Sequence, residues 1–145
     1  MRKRSNKKDE RIAKIADDRD VILVYENCSG WGGLSIKNML KFHQDVNSPN
    51  FKIFMIQGMF FIPNKGVDPW EFFTKVKPYT EYVYIKDYKT LENGKEKAKY
   101  PGEEEAKVKE VSKNLKKSGY NGFISIGPHL ASVVNEGKVG DPEIT

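Results

Sequence analysis

Four short runs of apolar and β-branched residues recur along this chain, Val21–Tyr25, Lys52–Ile56, Tyr82–Ile85 and Gly122–Ile126, with starts thirty to forty residues apart. None alternates strictly between apolar and polar residues, so each reads as a strand buried on both faces. The spacing leaves room for one helix between successive strands, as parallel βαβ units require. Helix signals fall in those gaps. Ser35 is placed to cap a helix through about Val46 with an apolar stripe of Ile36, Met39, Leu40 and Phe42. Asp68-Pro69-Trp70-Glu71 combines a capping Asp, a proline suited to the first helical position and a Glu at capping-box spacing. A third helix is predicted from about Glu103 to Ser118, with Val108, Val111 and Leu115 inward and Gly119 as its stop. An opening helix near Asp9–Asp18 places Ile12, Ile15 and Ala16 on one side. Right-handed crossovers then build either an open doubly wound sheet or a segment of a (β/α)8 barrel, and the pattern alone does not choose. Gly30-Trp31-Gly32-Gly33, after the first strand, lacks the spacing of a dinucleotide- or phosphate-binding loop and has no Lys-Ser/Thr, which disfavours a nucleotide-binding open sheet.

The 145 residues suffice for one ordinary domain but fall short of the roughly 200–250 of a whole barrel. With 38% hydrophobic and 31% charged residues a folded core is expected. Much of the net charge of +5 comes from Arg2, Lys3, Arg4, Lys7 and Lys8. No aromatic-interleaved basic stretch follows them, so a solvated, flexible start over residues 1–8 is expected rather than a nucleic-acid or membrane contact. The single cysteine, Cys28, excludes an internal disulfide and fits a reducing, cytoplasmic setting. The most apolar stretch, Ile53–Ile62, is interrupted by Gln57 and Gly58 and is far shorter than the ~20 residues that span a bilayer. A body over 9–130 and a polar tail over 131–145 complete the expected organisation.

In either architecture the reactive face lies at the C-terminal ends of the strands. The residues there are Glu26-Asn27, Ile56–Met59, Tyr84 with Lys86-Asp87, and Gly127-Pro128-His129. A carboxylate closing a buried strand, as Glu26 does, is costly to desolvate unless it is paired or bound to a metal. The plainer alternative is a glutamate facing solvent in the loop mouth, and position alone weighs the two evenly. His43, mid-helix beside Lys41 and Phe42, reads as a surface histidine.

The run Val-Tyr-Glu-Asn-Cys-Ser-Gly-Trp-Gly-Gly, then Ser48-Pro49-Asn50-Phe51-Lys52, Val67-Asp68-Pro69-Trp70, Lys77-Pro78-Tyr79-Thr80-Glu81-Tyr82-Val83-Tyr84-Ile85-Lys86-Asp87, Pro101-Gly102-Glu103 and Gly119-Tyr120-Asn121-Gly122-Phe123-Ile124-Ser125-Ile126 together resemble the sugar phosphate isomerase/epimerase family, whose fold is the xylose isomerase-like TIM barrel. Six pieces in register cover about Asp9 to Leu130 and match only the second half of that family, so the resemblance implies a partial (β/α)8 barrel of strands five to eight. It also implies a divalent metal (Mn²⁺, Mg²⁺ or Co²⁺) held by Glu, Asp, His and Glu from four strands, with the two glutamates moving a proton beside the sugar carbonyl.

Carried over position by position, the first Glu is Glu26. The Asp falls at Ile56, or at Gln57 if the register slips by one; the His falls at Tyr84; the second Glu falls at Gly127. Ile and Gly offer a hard cation no side-chain donor, so three of the four ligands are replaced and unaided metal-dependent catalysis is not expected. Trp31, Lys86, Asp87 and His129 remain as sugar contacts, although the Pro-His-Leu context of His129 implies a structural hydrogen bond at least as readily, and two further alternatives stand. Trp31 caps the barrel end, and Lys86 with Asp87 forms a supporting ion pair. The Lys/Glu run from Lys95 to Lys117 reads as a solvated helical face. A half-barrel leaves two open sheet edges, which predicts a homo-oligomer or a complementary N-terminal half-barrel as partner. Three readings follow: an impaired isomerase/epimerase-like domain, an enzyme active only when completed by another half, and a non-enzymatic sugar-binding or relic module.

Overall fold

The computed structural model describes residues 3–28, 31–33, 35–58, 67–94 and 96–127. Along the chain these form α1 (Lys3–Asp17), β1 (Leu23–Glu26), α2 (Ile36–Val46), β2 (Phe51–Gln57), α3 (Pro69–Val76), β3 (Thr80–Ile85), β4 (Asp87–Thr90), β5 (Glu96–Lys99), α4 (Val108–Lys117) and β6 (Phe123–Ile126). A four-stranded sheet in the order β1-β2-β3-β6 is parallel throughout, and β4 and β5 form a separate antiparallel hairpin. The four predicted strands are those of the parallel sheet.

The helix starts follow from their caps. Ser35 is extended and its Oγ accepts the Asn38 N–H at 3.1 Å, while Asn47 closes α2 in the left-handed conformation (φ 47°). Asp68 Oδ1 accepts the Glu71 N–H at 2.8 Å, with Pro69 at the first helical position of α3. The main core lies between these helices and one face of the sheet: Met39, Phe72, Phe73, Val76, Val111 and Leu115 close over Ile53, Met55, Val83 and Ile85. A smaller cluster joins Ala13 of α1 to Val46 and Phe51.

Three expectations are corrected. The strands are not covered on both faces by the described residues. Along β2 the odd-numbered residues are buried beneath the helices, whereas Lys52 and Phe54 on the other face are partly exposed, and β6 is exposed at Phe123, Ile124 and Ile126. The apolar strand pattern therefore reflects a second layer that the described residues do not supply. α1 begins at Lys3 rather than Asp9 and buries Ala13 and Ala16, leaving Ile12 and Ile15 about half exposed. The charged run after Lys95 is not one helical face. Its first part is β5, the second strand of the hairpin, and α4 starts only at Val108, because residues 100–106 are held as a loop by Asp87.

Candidate functional site

Glu26, Ile56, Tyr84 and Gly127 all lie at the C-terminal ends of the parallel strands. The ladder aligns Glu26 with Phe54, Ile56 with Tyr84 and Tyr84 with Ser125, and Gly127 extends β6 by donating its N–H to Ile85 O at 3.1 Å. Side chains alternate along a strand, so residues 54 and 56 of β2 share the helix-free face with residues 82 and 84 of β3. Gln57 turns the other way, is fully buried and donates to Ala106 O beneath the helices. The Gln57 side chain therefore does not share the helix-free face with Ile56 and Tyr84.

Asn27, immediately after Glu26, is buried and grips the neighbouring strand. Its Nδ2 donates to Ile56 O at 3.0 Å and its Oδ1 accepts the Ile56 N–H at 2.5 Å. This amide extends the β1–β2 ladder by one step and locks Glu26 against strand slippage. The glycine loop beyond is short of space: a Cβ on Gly33 would stand 2.6 Å from the Cys28 nitrogen. Trp31 is exposed on this loop, and its carbonyl accepts the Asn38 side-chain N–H at 2.8 Å, tying loop to α2.

Tyr84 and Gly127 are spatially coupled. A Cβ built on Gly127 would overlap the Tyr84 hydroxyl and lie 2.8 Å from a ring carbon, so the tyrosine occupies the space a side chain at 127 would need. Lys86 Nζ lies 5.1 Å from the Tyr84 ring centroid, a cation–π contact rather than an ion pair. Phe54 packs edge-on against Tyr82 at 4.7 Å, and Tyr82 stacks on Phe123 at 5.8 Å, so the helix-free face is aromatic.

Asp87 does not pair with Lys86. Its carboxylate is buried and accepts four backbone N–H groups: Tyr88 at 3.0 Å and Ala106 at 2.9 Å on one oxygen, Gly102 at 2.8 Å and Glu104 at 3.2 Å on the other. That makes it the anchor of the loop before α4, with no lone pair turned toward a substrate. Nothing but its Lys-Asp context marked it in the sequence; the Pro101-Gly102 turn that it holds was the available hint. His129 lies outside the described residues. His43 is placed at the opposite end of the strands, beside Tyr79 (ring centroids 4.6 Å apart), in a cleft of about 540 Å³ also lined by Gln44, Asn47, Ser48 and Pro49. Burial holds its pKa below the ordinary histidine value, and nearby Lys52 adds to the effect.

Among the described residues no three His, Cys, Asp or Glu side chains come together as a metal site. The donor chemistry agrees: of the four carried-over positions only Glu26 offers a carboxylate, and a phenol, an alkyl chain and a glycine do not complete a set for a hard divalent ion. Nor is any helix among the described residues long and apolar enough to cross a membrane.

A parallel sheet in sequential strand order, with its helices packed on one face and its candidate site at the C-terminal strand ends, is the arrangement of a TIM-barrel-type domain rather than of a doubly wound sheet. The family model of the xylose isomerase-like TIM barrel matches residues 4–140, and the chain belongs to that family. Similar solved structures include the probable 3-DHS dehydratase AsbF of Bacillus anthracis (14% identity, TM-score 0.67, 84% of this chain and 48% of that one). A xylose isomerase domain protein of Planctomyces limnophilus aligns at 22% identity, TM-score 0.65, over 88% of this chain and 46% of that one. A D-psicose 3-epimerase aligns at 15% identity, TM-score 0.63, over 92% and 46%. At these identities the likeness is one of fold, and the chain spans about half the length of each structure. No curated protein matches the sequence.

Proposed function

We propose that this chain is a half-barrel of the sugar isomerase/epimerase type, corresponding to strands five to eight, that retains a sugar-binding mouth without metal-dependent turnover of its own. The observation that carries the reading is the fate of the four ligand positions: Glu26 remains, Ile56 and Gly127 have no donor, and the Tyr84 ring fills the space above Gly127. Two-base proton exchange needs a second carboxylate facing Glu26, and the described face supplies none. Trp31, Lys86 and His129 are the proposed contacts to a sugar or sugar phosphate, with the Lys86 ammonium suited to an anionic group. Asp87 acts in this reading as a positioning residue for the loop beside them.

The test is titration of the purified chain with Mn²⁺ by calorimetry, alongside an isomerisation and epimerisation assay on free and phosphorylated ketoses. Saturable sugar binding without stoichiometric metal binding or turnover is expected. Metal-dependent turnover abolished by Glu26→Gln would overturn the proposal. A second reading, an enzyme completed by another half-barrel, draws support from the uncovered aromatic face. It predicts turnover only after a complementary half is added.

A further inference from the structure

Each end of the parallel sheet presents the complement of the other. At the β1 end, Ile12 and Ile15 of α1 and Val21 and Ile22 before the strand are 48–55% exposed. At the β6 end, Phe123, Ile124 and Ile126 are 54–68% exposed. Ile124 and Ile126 align with Val83 and Ile85, so they lie on the helix-facing side of the sheet but carry no helix among the described residues. In a closed parallel barrel a helix leading into a strand covers the groove between that strand and its neighbour on the preceding side. α1 leads into β1, and its stripe beside Ala13 is apolar with nothing beneath it among the described residues. One edge thus carries an uncovered helix and the other an uncovered strand face.

We infer that two copies of this chain close into one eight-stranded barrel, the β1 edge of each pairing in parallel with the β6 edge of the other about a two-fold axis along the strands. A two-fold axis in that direction preserves strand polarity and pairs at once both sheet edges that the described residues leave open. The count of units fits. The described residues hold four helix–strand pairs (α1β1, α2β2, α3β3 and α4β6), and two sets supply the eight strands and eight helices of a barrel. The seven side chains named above offer on the order of 650 Å² of apolar surface per copy, near the ~800 Å² per partner of a standard interface, before the aromatic face is counted. Closure would bury Phe54, Tyr82 and Phe123 in a shared interior. The inference rests on the half-barrel reading above but not on its account of catalysis.

The test is sedimentation velocity of the purified chain together with two seam variants, Ile12→Glu and Ile124→Lys. Wild type is expected at twice the 16.6 kDa of one chain. Each variant alone is expected to be a folded monomer, since both sites lie at half-exposed positions. Mixing the two variants is expected to restore a dimer: one seam then sets the introduced carboxylate against the introduced ammonium, and the other seam is native. Far-UV circular dichroism checks that each variant is folded. If either unfolds, Ile15→Glu and Ile126→Lys replace the pair. A wild-type monomer with a cooperative melt would overturn the inference while leaving the sugar and metal assays meaningful. Variants that remain dimeric, or that mixing does not rescue, would overturn it equally. Dimerisation only with a different half-barrel protein would overturn it too, and would assign the face to that partner instead.

Discussion

The ring of Tyr84 stands where a side chain at residue 127 would begin, so a larger residue at 127 is accommodated only if Tyr84 gives way. Gly127→Ala is expected to cost about 1–3 kcal/mol by overpacking. Tyr84→Ala should remove most of that penalty, so the double variant is more stable than the sum of the singles predicts. A double-mutant cycle by urea denaturation measures the coupling. Asp87 offers a second prediction at this scale. Asp87→Asn turns an amide N–H toward backbone donors and should destabilise the fold by about 3 kcal/mol, with cleavage of the 100–106 loop by protease as an independent readout. Glu26 was legible in the sequence because it closes a strand. The work of Asp87 was not, because a carboxylate that binds backbone amides across 15 to 19 residues leaves no local pattern. The coupling of Tyr84 to Gly127 was hidden likewise, since it needs the register of β3 against β6.

At the scale of elements, capping chemistry and strand composition carried well, while the hairpin did not. Ser35 and Asp68 start α2 and α3 as their side chains dictate, and the four apolar runs became the four parallel strands. β4 and β5 were missed because Glu96–Lys99 has a polar, lysine-rich composition suited to a helix. The turn signal was present in Asn93-Gly94, where Gly94 adopts φ 75°. Which face of α1 turns inward was not written in the sequence: the small Ala13 lets α1 approach α2 closely, so the larger Ile12 and Ile15 turn outward. α2 carries a pH prediction. Burial depresses the His43 pKa below its ordinary 6.5, so the folded state binds that proton less readily than the unfolded chain. Its contribution to stability is present above about pH 6.5 and is lost as the pH falls below that value through the lower pKa of the folded state. Urea midpoints measured between about pH 7.5 and 5 should therefore decline, and His43→Gln should flatten the decline.

For the whole molecule, the sequence carried the barrel-type order of strands and helices, but strands that read as buried on both faces have only one face covered by the described residues. That mismatch is physical information about assembly. Apolar side chains on a strand's second face are stable in water only when a second layer removes them from it. If a second copy provides that layer, unfolding is linked to dissociation, and stability must rise with protein concentration by mass action. Each tenfold increase shifts the two-state balance by about 1.4 kcal/mol per dimer. Spread over the unfolding entropy of two 145-residue chains, this raises Tm by about 2 °C. Scanning calorimetry from about 5 to 500 µM should therefore show Tm climbing by about 4 °C for the wild type. The Ile124→Lys variant, deprived of the seam, should melt lower and at the same temperature throughout. A wild-type Tm independent of concentration would mean that the second layer comes from somewhere other than another copy of this chain.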